Sequence, residues 1–187
     1  RHRRVLSGHH PVEIQSGETP LLNFSSNDYL GLASHPDLVK ALKDAADGEG
    51  VGSGASALVT GYHREHQLLE QELAEFLQRE KVLLCSSGYL ANLAVTTSLA
   101  GKGDVIIQDK LCHASLIDAA RLSGAQLSRY GHVDMVALKR RLAAANEGNT
   151  LVVSDGVFSM DGDTAPLKEM AALCREHKAW LVVDDAH

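Results

Sequence analysis

Apolar and polar positions change their rhythm near Val82. Beyond it, short runs rich in valine, isoleucine and leucine alternate with longer stretches whose apolar residues recur every three or four positions. The short runs at 82–85, 104–108, 126–130, 150–154 and 180–184 read as strands. The stretches at 90–99, 114–122, 134–145 and 167–177 read as the helices between them. Strand and helix repeated in this order predict βαβ units, hence an α/β fold of three α/β/α layers with a mainly parallel sheet. The unbroken Val-Ile-Ile and Leu-Val-Val runs suit strands covered on both faces.

Before Val82 the pattern differs. Residues 36–46 read as a helix opened by Pro36, and 63–77 as an amphipathic helix with Leu69, Leu73, Phe76 and Leu77 on one face. Between them, Gly48, Gly50, Gly52 and Gly54 mark a loop whose backbone is free to take unusual angles or to approach another group closely.

Composition narrows the function classes. A chain of 187 residues can bury roughly 70% of its unfolded surface, so it needs neither disulfides nor a metal to fold. Eighteen basic residues against twenty-four acidic ones leave a net charge of −6, and only Arg1, Arg3 and Arg4 cluster, which argues against nucleic acid as a partner. Aromatic residues at 4% are too few for a base-stacking surface. No apolar stretch reaches the roughly 20 residues of a membrane helix and the start does not read as a signal peptide, so the expectation is a cytoplasmic protein without membrane partners. Cys85, Cys112 and Cys174 are odd in number and far apart, and are expected to be buried free thiols.

Four segments could carry chemistry, each at the carboxyl end of an expected strand. Cys85-Ser-Ser-Gly-Tyr89 opens a helix with small residues, a seat for a phosphate on free N–H groups, though it also reads as a plain serine cap. Val183-Asp184-Asp185-Ala-His187 places a carboxylate after an apolar run, where a cationic ligand nitrogen would compensate it; a solvated turn is the plainer alternative. His113, just beyond a strand, could stack on a flat ligand or move a proton, or could simply cap a helix. The polar run from Ser154 to Asp163, with Ser159 inside it, could line the same crevice or form a loop. His63, His66 and Glu70 share a helical face but lack a zinc-site spacing, so no metal is expected.

Phosphate seat, ring-stacking imidazole and carboxylate for a ring nitrogen match pyridoxal 5′-phosphate group by group. Asn23-Phe-Ser-Ser-Asn-Asp-Tyr-Leu-Gly-Leu32, Gly52-Ser-Gly54, Gly61-Tyr62, Ser87-Gly88-Tyr89, His113-Ala-Ser-Leu116, Asp155-Gly-Val-Phe-Ser-Met-Asp-Gly-Asp163 and Val183-Asp-Asp-Ala-His187 also occur here in the order seen in α-oxoamine synthases. The chain resembles that family over its whole length. The resemblance implies the pyridoxal-phosphate-dependent transferase fold, with 1–35 an N-terminal segment and 36–187 the first part of the large cofactor-binding domain.

The resemblance also implies roles. Gly88 and Tyr89 would lie near the cofactor phosphate, His113 on the pyridine ring, Asp184 at the ring nitrogen, and Ser159 and His187 near the phenolic oxygen. His113, Asp184 and His187 would be the catalytic groups, and Arg1 and His113 would meet substrate. Asp155 stands where relatives often carry glutamate. Asp-Asp-Ala-His at 184–187 favours the branch that joins L-alanine to a pimeloyl thioester, on coenzyme A or acyl carrier protein, over a glycine-using branch. A homodimer is implied as well, because such sites form at a subunit interface. The family's Schiff-base lysine lies downstream of Asp-Asp-Ala-His, so the expectation is an N-terminal half that is inactive alone. A non-catalytic scaffold or binding fragment is the alternative of another class.

Overall fold

The computed structural model describes residues 5–7, 12–145 and 148–187. The chain divides into two compact units between Val82 and Leu83.

In the first unit, β1 (Glu13–Ser16) and β2 (Thr19–Leu22) form an antiparallel hairpin that turns at Gly17, whose φ of 63° suits glycine. This hairpin is absent from the pattern reading, because four-residue strands are too short to show a period. Helix α1 (Pro36–Glu49) starts with Pro36 in its first turn and His35 accepting the Asp37 N–H at 3.3 Å. Helix α2 (Arg64–Phe76) starts with a reciprocal histidine cap in which the His63 N–H donates to His66 Nδ1 at 3.1 Å. Ala74 is the one buried residue of these two helices. Leu42, Leu58, Val59 and Phe76 are exposed.

The second unit runs α3 (Gly88–Leu99), β3 (Val105–Asp109), α4 (Ala114–Ser123), β4 (Gln126–Tyr130), α5 (Met135–Ala144), β5 (Thr150–Asp155), α6 (Leu167–Glu176) and β6 (Trp180–Asp184). Its four strands are all parallel, in the order β4-β3-β5-β6. Successive side chains of a strand point to opposite faces. Ile106, Leu127, Leu151, Val153 and Val182 therefore meet Leu116 and Ala120 of α4 on one face. Ile107, Tyr130 and Val152 meet Leu138 and Leu142 of α5 and Met170 and Leu173 of α6 on the other. The result is the three-layer α/β/α arrangement the pattern predicts.

Residues 82–85 are a correction. They lie outside any strand, and Leu83 is 81% exposed. Apolar composition alone does not make a strand; a hydrogen-bonding neighbour does, and no described strand pairs with this segment. Cys85 is likewise exposed rather than buried, whereas Cys112 and Cys174 are buried free thiols, with burial pushing them up to about 12 and about 11.

Two features of this unit position a site. The chain leaves β3 for β4 through α4 and then crosses back to β5 on the opposite side of β3. The carboxyl ends of β3 and β5 therefore feed loops that diverge, which opens a crevice. Gly124, at φ 76°, ends α4 in the left-handed conformation and turns the chain directly into β4.

Leu138 is fully buried in the core beneath α5. Leu138→Ala should destabilise the second unit by about 2–5 kcal/mol, and Leu83→Ala by less than about 0.5 kcal/mol, both read from urea unfolding monitored by circular dichroism.

Candidate functional site

Strand parity decides which carboxylates meet. Asp155 closes β5 and Asp184 closes β6, and the two are register partners across the parallel pair. Asp155 lies two residues from Val153 and Asp184 two from Val182, so both project to the face covered by α3 and α4. Asp109, two residues from Ile107, projects to the opposite face.

On the α3 and α4 side, Gly88, Tyr89, Asn92, His113, Ser115, Asp155, Asp184, Ala186 and His187 line one cleft of about 100 Å³. Ser87 caps α3 by accepting the Leu90 N–H at 3.2 Å. The first N–H groups of an α-helix have no intrahelical acceptor, so those of Gly88 and Tyr89 sit where an anion could take them. Tyr89 Oη donates to Asp118 of α4 at 2.6 Å, and this bond raises the Tyr89 hydroxyl above its ordinary range.

A chain of hydrogen bonds crosses the cleft. Asn92 Nδ2 donates to Asp184 Oδ2 at 2.7 Å and to Ser115 Oγ at 2.9 Å. Ser115 Oγ lies 2.7 Å from His113 Nδ1, and the Ser115 N–H donates to the same nitrogen at 3.2 Å. A backbone N–H can only donate, so Nδ1 presents its lone pair and the ring proton sits on Nε2. The His113 N–H donates to Asp155 Oδ2 at 2.9 Å, and the Ala186 N–H to Asp184 Oδ1 at 3.1 Å. Burial raises Asp155 above the usual carboxylate range and the neighbouring Asp184 charge adds to it, against the lowering pull of the His113 N–H.

Gly156 holds the two strand ends together. Its N–H donates to the Asp184 carbonyl at 2.7 Å, and a Cβ there would come within 2.7 Å of Asp185 Oδ1. Beyond it, Ser159 lines an adjoining pocket of about 80 Å³ with Leu111, Phe158, Met160 and Asp161. His113 and Asp155 form the wall shared by both spaces.

The structure thus brings Gly88, Tyr89, His113, Asp184 and His187 into one cleft, with Ser159 next door. Arg1 lies outside the described residues. The sequence reading missed Asn92 and Ser115. The available signal was Asn92, the one polar residue in the run 90–95 of a helix, and it is buried. A larger cavity of about 680 Å³ runs along α2 in the first unit, where Tyr62 Oη donates to Glu70 at 2.7 Å. Among the described residues no three His, Cys, Asp or Glu side chains are grouped to hold a metal ion.

The donor set fits a phosphorylated, flat, cationic heterocycle: helix N–H groups, a carboxylate and an imidazole line the same cleft. Comparison with known proteins agrees with this. The family model "Aminotransferase class I and II" matches residues 19–187. The chain belongs to that aminotransferase family.

Among curated relatives, this aminotransferase-family chain is 52% identical to the 8-amino-7-oxononanoate synthase of Thioalkalivibrio sulfidiphilus, across 100% of its own length and 48% of the relative's. A serine palmitoyltransferase variant from S. paucimobilis, solved with PLP and myriocin, superposes with a TM-score of 0.92 at 36% identity, over 95% of this chain and 45% of that one. The 8-amino-7-oxononanoate synthase of Francisella tularensis superposes with a TM-score of 0.73 at 34% identity, over 88% and 44%. The chain spans about half the length of the curated relatives it matches.

Asp109, on the far face of this aminotransferase-family sheet, anchors a second group. His132 Nδ1 lies 3.1 Å from Asp109 and its Nε2 2.5 Å from Asp163, which ties the segments after β3, β4 and β5 together. Desolvation lowers His132, but its hydrogen bonds to Asp163 and Asp109 outweigh this and raise it above the ordinary imidazole range. A raised histidine stabilises the fold fully below its unfolded value, about 6.5, and that contribution is lost as pH rises through the folded value. Wild type should therefore exceed His132→Gln in stability by more at pH 5.5 than at pH 9, as measured by urea unfolding at both; equal differences would contradict the clamp.

Proposed function

We propose that the whole protein is an 8-amino-7-oxononanoate synthase. It would condense L-alanine with a pimeloyl thioester, on coenzyme A or acyl carrier protein, with loss of carbon dioxide, in biotin biosynthesis. The cofactor is pyridoxal 5′-phosphate and the working form a homodimer. One observation carries the reading: the α3 N-terminus, His113 and Asp184 converge on a single cleft at the switch point of the sheet. The 52% identity to a synthase of that activity supports the choice of reaction.

When bound, pyridoxal 5′-phosphate supplies an electron sink for the pair left at the substrate Cα. The protein's part is to seat and tune it. The N–H groups of Gly88 and Tyr89, at the positive end of α3, hold the phosphate. Asp184 keeps a proton on the ring nitrogen, which draws electron density away from Cα. The imidazole of His113 would cover one face of the ring and exclude water from it. His187 and Ser159 would serve as hydrogen-bond partners of the phenolic oxygen, and Arg1 and His113 would meet the substrates. Asp155 acts through the backbone of His113, whose N–H it accepts at 2.9 Å, and so holds the imidazole in place.

In the whole protein, Asp184→Ala should retain cofactor, read by absorbance after gel filtration, while turnover of L-alanine and pimeloyl thioester falls about 10³-fold or more, as for loss of a preorganised charge at a reacting centre. Wild-type turnover in that variant would sink the reading. Comparing L-alanine, glycine and L-serine as amino substrates tests the branch, with L-alanine expected to give the highest kcat/KM.

A further inference from the structure

The buried stripe of α3 is polar: Asn92 and Thr96 face inward, while Tyr89 and Leu90 are exposed by 42% and 49%. For packing against α4, an apolar side chain at 92 would serve better, since burying an amide is unfavourable unless its hydrogen bonds are made. Asn92 makes both of its donor bonds, and it makes them to two different parts of the cleft. One N–H goes to Asp184 Oδ2 at 2.7 Å, the other to Ser115 Oγ at 2.9 Å. A carboxylate accepts only, so the amide nitrogen must face Asp184 and the orientation of Asn92 is determined.

The second bond has a consequence further along. Ser115 Oγ accepts from Asn92, which leaves its single proton to be given to His113 Nδ1 at 2.7 Å. With the Ser115 N–H on the same nitrogen, the Nε2–H tautomer of His113 is held from two directions. One amide thus orients the carboxylate of β6 and, through Ser115, the proton position on the imidazole before α4.

We infer that Asn92 is a positioning residue that couples the Asp184 carboxylate to the tautomer of His113 through Ser115, so that both face a bound pyridinium cofactor in a single arrangement. The inference rests on the cofactor reading above and deepens it. Asn92 acts through Asp184 and Ser115, the two groups to which it donates. Its two bonds join three elements, α3, α4 and the end of β6, at the point where their side chains converge.

The test has a ligand-free arm and a cofactor arm, both on the whole protein. In the first, the protein is prepared without cofactor and labelled with ¹⁵N-histidine and ¹³C-aspartate, and the His113 Nδ1 and Asp184 carboxyl signals are followed by NMR. Asn92→Ala should move both signals, and Ser115→Ala that of His113 while leaving Asp184 at its wild-type position. In the second arm, pyridoxal 5′-phosphate is titrated and its dissociation constant read by fluorescence. Asn92→Ala should weaken binding about tenfold, the scale of a lost hydrogen bond to a charged group, and Ser115→Ala by less.

A folded Asn92→Ala variant in which neither signal moves overturns the inference, because a purely structural asparagine would lower only the unfolding midpoint. If Asn92→Ala does not fold, Ser115→Ala decides: an unmoved His113 signal overturns it. Absence of saturable binding by the wild type overturns the cofactor reading, and the ligand-free signals tell that failure apart from a failure of the coupling.

Discussion

The parallel register of β5 with β6 is the constraint on which the site depends. It sets Asp155 directly opposite Asp184, two carboxylates on one face of the sheet and both partly withdrawn from water. Like charges held so close would oppose the pairing unless donors are brought to them. The surrounding structure supplies those donors: the His113 N–H to Asp155, and the Asn92 amide and the Ala186 N–H to Asp184. Gly156 joins the two strand ends by donating its N–H to the Asp184 carbonyl at 2.7 Å.

Because the donors come from different elements, the site holds the fold as much as the fold holds the site. Asn92 belongs to α3, Ser115 and the imidazole cap to the start of α4, and the acceptors to the ends of β5 and β6. The apolar layers on either side of the sheet give the second unit its stability through buried area. The polar chain selects one arrangement of the loops at its carboxyl edge. Asp109 does the same on the other face by gripping His132, the Val133 N–H and the Leu111 N–H. Alternation along the strands thus gives the sheet a cleft-lining carboxylate pair on one side and a loop-tying carboxylate on the other.

Much of this was legible beforehand. The Val-Ile-Ile and Leu-Val-Val runs identified β3, β5 and β6, because strands buried on both faces admit little but apolar residues. His113 and Asp184 are legible because they stand just beyond and at the end of a strand, where ligands collect in such sheets; Gly88 is singled out only through the strand expected at 82–85, which the structure lacks. Other features were hidden for physical reasons. The hairpin of β1 and β2 is too short to show a period. Residues 82–85 looked like a strand because their apolar composition is that of one, yet a strand is made by its neighbour.

The sequence by itself determined the alternation of strands and helices from β3 to β6 and which chemical groups stand beside the ends of those strands, since periodicity is a local property of the chain. Tertiary structure decided which of those groups meet. That Asp155 faces Asp184 rather than Asp109 and that Asn92 spans the gap between Asp184 and Ser115 follow from register and from the packing of α3 on α4. These are contacts between residues as many as 92 positions apart, and no local pattern encodes a distance between segments that only the folded sheet brings together.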